Sequence, residues 1–423
     1  MVVIMKVLLA HPGKQHSFET ATALKKSGLL YKYVTSIYDK EESITSKAKS
    51  LLPSKMKKKA MGRHCIALDN NDVVQFDEWK FLMVLMLSKF PHTEVLCRFL
   101  NDRFSDSFGR KVAKLAIREN VDAVICYDSN CKVLFDILSE KAPNIRRIMD
   151  VSTANRIYMI HEFDKYINKT GETHIKQEQS FLWKKSNCKR YISEIQNTEY
   201  FIVASQFVKK SLLYSGVKEK QISVIPYGVD PKKFSYRKKT KYKEKLKLLY
   251  VGQITCKKGL EYLLKVVSTF PTEKVSITLA GDFNKTNPIY RKYKDIDNIR
   301  FLGFVTRDVL ANVYREADVF VFPTLGEGFG MVILEAMSCG LPAIVSDHAG
   351  GNDVILDGFN GFEFEAGNEK MLRSQIEWFI LHPEKIPEMS ENAYETALNY
   401  TWDRYHTNVS RVIEKMCNEK LSD

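Results

Sequence analysis

Pro323-Thr-Leu-Gly-Glu327-Gly-Phe-Gly-Met-Val-Ile-Leu-Glu335-Ala-Met-Ser-Cys-Gly340-Leu-Pro342 follows the apolar run Val319–Phe322, and this stretch decides the fold. The run reads as a buried strand stopped by a proline, and Gly326, Gly328 and Gly330 make the turn after it. The helix-compatible residues beyond it end at Gly340. Strand, tight glycine turn and helix form the unit that points backbone amides at an anion. Glu327 lies in the turn, and Glu335 about two helical turns further on. Two acids so placed can hold hydroxyls at the two ends of one ligand whose phosphates lie between them.

Working outward, strand-like and helix-like segments alternate, which predicts parallel α/β sheets. Strands are expected at 7–10, 123–127, 145–150, 201–204 and 222–225, with helices at 17–28 and 206–214. Residues 157–197 are polar and poorly periodic and are assigned helices. Pro226-Tyr-Gly-Val-Asp230-Pro231 and the lysine-rich stretch after it interrupt the rhythm, and the boundary is placed there. The pattern restarts with strands at 248–251, 276–280, 299–301 and 319–322. Two doubly wound Rossmann-like domains are expected, residues 1–228 and 229–400. The last residues, 401–423, are expected to form a helix packing back on the first domain.

A chain of 423 residues with 44% hydrophobic and 27% charged residues is an ordinary globular composition. Its net charge of +13 calls for an anionic partner. Nucleic acid is set aside, because no phosphate-loop lysine motif, zinc finger or aromatic-interleaved basic patch accompanies the charge. The eight cysteines contain no Cys-x-x-Cys pair and suit a reducing cytoplasm. Lys6 splits the short N-terminal apolar run, which does not read as a leader, and no run approaches the ~20 residues of a membrane span.

In their order and spacing, the motifs from about 191 to 361 resemble the retaining family 4 glycosyltransferases. They are Ile225-Pro-Tyr-Gly-Val-Asp230, Val251-Gly-Gln253 with Lys258-Gly259, Leu279-Ala-Gly-Asp282, Phe301-Leu-Gly303, Ala317-Asp-Val-Phe-Val-Phe-Pro323, the Glu327/Glu335 turn and Gly350-Gly-Asn-Asp353. The resemblance implies the GT-B fold, two Rossmann-like domains facing across a cleft. It implies transfer of a sugar, with retained anomeric configuration, from a UDP- or GDP-linked hexose to a glycan or lipid-linked acceptor. Cell-envelope polysaccharide synthesis is the expected setting. Neither metal nor cofactor is implied beyond the nucleotide-sugar co-substrate. Asp295-Ile-Asp297 lies among basic residues and reads as a surface turn.

Carried over residue by residue, Lys258 pairs with the donor diphosphate and neutralises the leaving group. Glu327 takes the sugar hydroxyls and Glu335 the ribose. The amides around Gly328, Phe329, Gly330 and Met331 face phosphate or sugar. Gly303, Phe304 and Val305 contact the base, and Gly13 lets phosphate approach closely. His16 is placed with the acceptor. Two positions depart from the family pattern. Gln253 stands where an arginine is common, and Asn155 aligns with a histidine that faces the donor sugar. Asn155 could substitute for that histidine, or His161 or His16 could serve instead. The alternative is a non-catalytic member that binds nucleotide sugar or glycan.

Residues 47–63 carry Lys47, Lys49, Lys55, Lys57, Lys58, Lys59 and Arg63 and no acid. The tract is either a solvated loop or a dock for anionic lipid on the inner face of the cell membrane. Residues 79–90, apolar nearly all round as a helix, are expected to be buried; the lesser alternative is an interfacial segment.

Overall fold

The computed structural model describes residues 5–50, 62–88, 90, 93–231, 233–234, 236 and 244–418. Seven strands form the first sheet: β1 (Val7–Ala10), β2 (Leu30–Thr35), β3 (Val73–Gln75), β4 (Ala123–Tyr127), β5 (Arg146–Val151), β6 (Tyr200–Val203) and β7 (Ile222–Val224). Their order is β3-β2-β1-β4-β5-β6-β7, and every pairing is parallel. Six more form the second: β8 (Leu246–Val251), β9 (Val275–Ala280), β10 (Ile299–Gly303), β11 (Val319–Phe322), β12 (Ala343–Ser346) and β13 (Gly361–Phe364). Their order is β10-β9-β8-β11-β12-β13, again all parallel.

The central strands are short apolar runs because both faces are covered by helices. Along β1, Val7 and Leu9 pack into one core cluster and Leu8 and Ala10 into the other. Each sheet winds outward from its first strand and then returns to the opposite side. The reversals fall between β1 and β4 and between β8 and β11. Crevices for ligands open at such reversals, beyond the carboxyl ends of the strands.

Residues 157–197 fold into parts of three helices, Arg156–Thr170, His174–Glu178 and Lys185–Gln196. The Asn155 carboxamide oxygen accepts from the Ile157 and Tyr158 amides, and Gly171 at φ 75° closes the first of them. The last helix, Trp402–Asn418, lies on Ser17–Lys26 of the first domain. Tyr405 and Thr20 join hydroxyls at 2.9 Å, His406 Nε2 lies 2.9 Å from Glu19 Oε2, and Ser410 donates to the Ala23 carbonyl.

One expectation is overturned. Helix Glu78–Leu87 buries only Val84 among its described residues, leaving Trp79, Leu85 and Met86 exposed. A long second helix, Glu94–Arg118, packs along one side of it and takes up Phe81 through contacts with Phe104 and Phe108, and helix Ile44–Ser50 meets it at Glu78, whose carboxylate accepts from Ile44 and Thr45. Residues 51–61, the middle of the lysine-rich tract, lie outside the described residues. Among the described residues no helix is long and apolar enough to cross a membrane.

Candidate functional site

In the second domain the site is assembled by close backbone approach. After β8 the chain makes a short 3-10 turn, Cys256–Lys258, and leaves it through Gly259 at φ 70°. A Cβ on Gly259 would lie 1.8 Å from the Pro323 carbonyl oxygen, so only glycine lets this turn press against the end of β11. That contact sets Lys258 beside Glu327, and the ammonium and carboxylate pair directly. The Lys258 ammonium also lies 5.3 Å from the centre of the Phe322 ring. Burial, with Lys257 alongside, pushes Lys258 down to about 7. The charge of Glu178 pulls the other way.

The Glu178 carboxylate, from the first domain, accepts from the amides of Cys256 at 2.7 Å and Lys257 at 3.2 Å. It thereby anchors the turn that carries Lys258.

On the facing side, the loop after β1 is held by its own histidine. His11 Nδ1 accepts from the Gly13 amide at 2.8 Å, and burial pushes the imidazole down to about 4, keeping it neutral. His16 Nε2 lies 2.9 Å from Asp150 Oδ2 and 3.2 Å from the Tyr227 hydroxyl. Asp128, after β4, takes the Ser152 amide and hydroxyl and the Thr153 hydroxyl, fixing the loop beyond β5.

The domains meet over the glycine turn. The Ser205 hydroxyl donates to the Gly328 carbonyl at 2.6 Å, and a Cβ on Gly328 would sit 1.9 Å from the Ser152 carbonyl oxygen. The Gln206 amide donates to Asp353 at 2.8 Å, and His348 reaches Glu162 at 3.4 Å.

Beside this contact lies a cavity of about 1100 Å³ whose walls include Lys14, His16 and Thr153 from one domain and Met331 and Glu335 from the other. Tyr314 donates to Glu335 at 3.2 Å, directing one carboxylate oxygen. Helix Met331–Ser338 starts late enough that Glu335 sits in its second turn.

Gln253 lines a separate groove of about 660 Å³ with Thr255, Asp282 and Phe283, at the carboxyl ends of β8 and β9. Gly303, at φ 73°, ends the neighbouring β10, and Phe304 beyond it is exposed. Asn155 is fully buried beneath the loop, its oxygen spent on the helix cap, and it does not line the cavity. His161 is half exposed and packs on Tyr214, away from the cavity. Of the three candidates for the aligned histidine, only His16 lines the cavity. Among the described residues no group of three or more His, Cys, Asp or Glu side chains is placed to hold a metal ion.

Sequence reasoning missed Glu178, Ser205, Tyr227 and the partnership of His16 with Asp150. Asp150 closed a predicted strand, a position that faces the crevice, so it carried a usable signal. Glu178 sits in a stretch without periodicity and carried none.

The family described as glycosyl transferases group 1 matches residues 231–396. An uncharacterized glycosyltransferase of Methanocaldococcus jannaschii is 28% identical over 174 residues, 40% of this chain and 48% of that protein. An uncharacterized 41.2 kDa protein in the cps region of Klebsiella pneumoniae is 30% identical over 190 residues, 42% of this chain and 52% of that one. The amylovoran biosynthesis glycosyltransferase AmsK of Erwinia amylovora is 24% identical over 195 residues, 44% and 48% of the two chains. The chain thus spans about half the length of these curated relatives. Among solved structures, sucrose-phosphate synthase from Thermosynechococcus elongatus superposes with a TM-score of 0.69 at 15% identity, covering 97% of this chain and 99% of that one. Anabaena HepE in complex with UDP gives 0.63 at 15% identity, covering 97% and 100%. The chain has the GT-B fold, and its second half matches the group 1 glycosyl transferases.

Proposed function

We propose that the protein is a retaining glycosyltransferase that moves a hexose from a UDP- or GDP-linked donor to a glycan or lipid-linked acceptor. The observation that carries this reading is the Lys258–Glu327 pair, set in the crevice of the second domain by the Gly259–Pro323 approach. When donor enters, Lys258 turns to the diphosphate and neutralises charge growing on the leaving oxygen. Glu327 is released to the sugar hydroxyls, and Glu335, directed by Tyr314, takes the ribose. The amides of Gly328 to Met331 face the phosphates, with Gln253 on the phosphate side, while residues 303–305 border the base.

The acceptor enters from the His16 side of the cavity, and the departing phosphate oxygen takes its proton on the same face. The relatives named for a cps region and for amylovoran biosynthesis favour a cell-envelope polysaccharide as product. Eight unbridged cysteines suit work in the cytoplasm. Gln253, in the place of a phosphate-pairing arginine, favours the second reading, a non-catalytic binder of the same donor.

Lys258→Ala tests the proposal. Turnover at saturating donor is expected to fall about a hundredfold or more, with donor affinity in calorimetry changing far less, since the charge Lys258 meets develops in the transition state. Near-normal turnover in the variant removes Lys258 from the mechanism. Wild-type protein that binds donor yet neither transfers nor hydrolyses it is the binder.

A further inference from the structure

Arg63 is a half-buried cation with no anion to meet it. Its carbonyl accepts from the Asp39 amide at 3.1 Å, and the neighbouring Gly62 carbonyl accepts from Lys14 Nζ at 2.6 Å. These bonds hold residue 63 between the loop that follows β2 and the loop that follows β1. The guanidinium Nη1 is buried and has no hydrogen-bond partner among the described residues. Burial pushes the group down, and the Tyr33 hydroxyl, not a carboxylate, is what opposes it. The tract that ends here, residues 47–63, carries seven basic residues and no acid, so it supplies no counter-ion. A buried charge is costly until something pairs with it.

His11 adds a second donor without an acceptor. Its Nδ1 takes the Gly13 amide, so the neutral ring carries its proton on Nε2. That nitrogen is buried and also has no partner among the described residues. The Arg63 charge bears on both His11 and Tyr33. Tyr33 in turn bonds Ser17 at 2.9 Å, at the start of helix Ser17–Lys26. The two unmet donors therefore share one corner, under the turn from β1 into that helix.

The corner adjoins the cavity. Lys14 and Gln15, in that turn, and His64, next to Arg63 in the chain, all line the cavity with His16. A Cβ on Gly13 would lie 3.0 Å from His11 Cε1, so the residue between His11 and Lys14 brings no side chain of its own against the ring. An oxyanion satisfies both donors and supplies the missing charge. A neutral sugar hydroxyl accepts a hydrogen bond but leaves the charge unmet.

We infer that Arg63, with His11, holds an oxyanion carried by the acceptor, a carboxylate or a phosphate group, so that the acceptor is an acidic one. Assigning the oxyanion to an acceptor rests on the proposed transferase reading; the anion site itself does not.

The test follows thermal unfolding at neutral pH in sodium chloride, sodium phosphate and sodium glucuronate of equal ionic strength. Wild type, Arg63→Met and Arg63→Gln are compared. The wild-type midpoint is expected to rise by several degrees over chloride in phosphate, in glucuronate or in both, because a ligand of the folded state alone raises it. A rise in phosphate only marks a phosphoryl group, and a rise in glucuronate only marks a carboxylate. Both variants are expected to lose the rise. Arg63→Met is expected to match or exceed the wild type in chloride, since it removes an unpaired buried charge. The inference is overturned if the wild type responds to neither anion. It is also overturned if the variants respond as the wild type does, which is the general effect of excluded anions. The rise is expected to persist with UDP or GDP at saturation. A rise that nucleotide abolishes gives Arg63 to the donor diphosphate and overturns the acceptor assignment. Protein that binds neither nucleotide yet keeps an Arg63-dependent rise would sink the proposed activity and leave the anion site standing.

Discussion

His11 shows how one buried side chain ties the cleft to pH. It accepts from the Gly13 amide and so must be neutral, and burial pushes it from 6.5 down to about 4. As pH falls through 6.5 the unfolded chain takes up this proton while the folded one refuses it until about 4. The stability His11 contributes is thus complete above the upper value and lost progressively toward the lower one. The loss is about 3 kcal/mol at 1.36 kcal/mol per pKa unit. In urea unfolding, His11→Asn is expected to flatten the fall in stability between pH 7 and pH 4.5; an unchanged slope would assign the fall to other groups. At this scale the sequence was legible where chemistry is local. The glycine turn holding Glu327 is a contiguous string, readable without a partner. His16 and Asp150 stand 134 positions apart, and nothing in either neighbourhood names the other.

Among elements, the short helix His174–Glu178 has the largest consequence for its size. It belongs to the first domain, yet its last residue grips two amides of the turn bearing Lys258. Its negative charge also opposes the burial that lowers Lys258. Glu178→Ala is expected to lower turnover of order tenfold, because a small misplacement of a group facing the reaction is costly. The basic limb of the pH–rate profile should move to lower pH as well, which mere loosening of the turn would not produce. An unmoved limb would reduce Glu178 to a structural strut. Strands such as β1, β4 and β11 were legible because buried parallel strands are short apolar runs between turn signals, whereas β2, β3, β12 and β13 were not expected. The hairpin of residues 78–118 was not legible either. An apolar helix normally argues burial, and only the three-dimensional arrangement shows that Leu85, Met86 and Phe99 are exposed among the described residues.

The closed arrangement of the whole molecule depends on Gly328, where even one carbon atom would collide with Ser152. Gly328→Ala is expected to hold the domains apart. Under the proposed transferase mechanism turnover should fall at least about a hundredfold, since it needs groups from both sides to converge. Small-angle scattering should show a larger radius of gyration with little change in thermal midpoint, because opening relieves the clash. A compact, active variant would show that Ser152 yields instead. The two-sheet architecture was legible from the restart of alternation after the lysine-rich break, whereas the fit between the halves is a matter of shape that no local pattern records. The last helix adds a constraint in time. Thr20 bonds to Tyr405 across 385 positions, and Trp402 lines the cavity. During synthesis the first domain emerges early but lacks this wall until residues 402–418 have left the ribosome. For most of translation helix Ser17–Lys26 bares the face that Tyr405 and Val409 later cover. A chain interrupted before Trp402 is therefore not merely a shorter protein but one whose first domain has never closed.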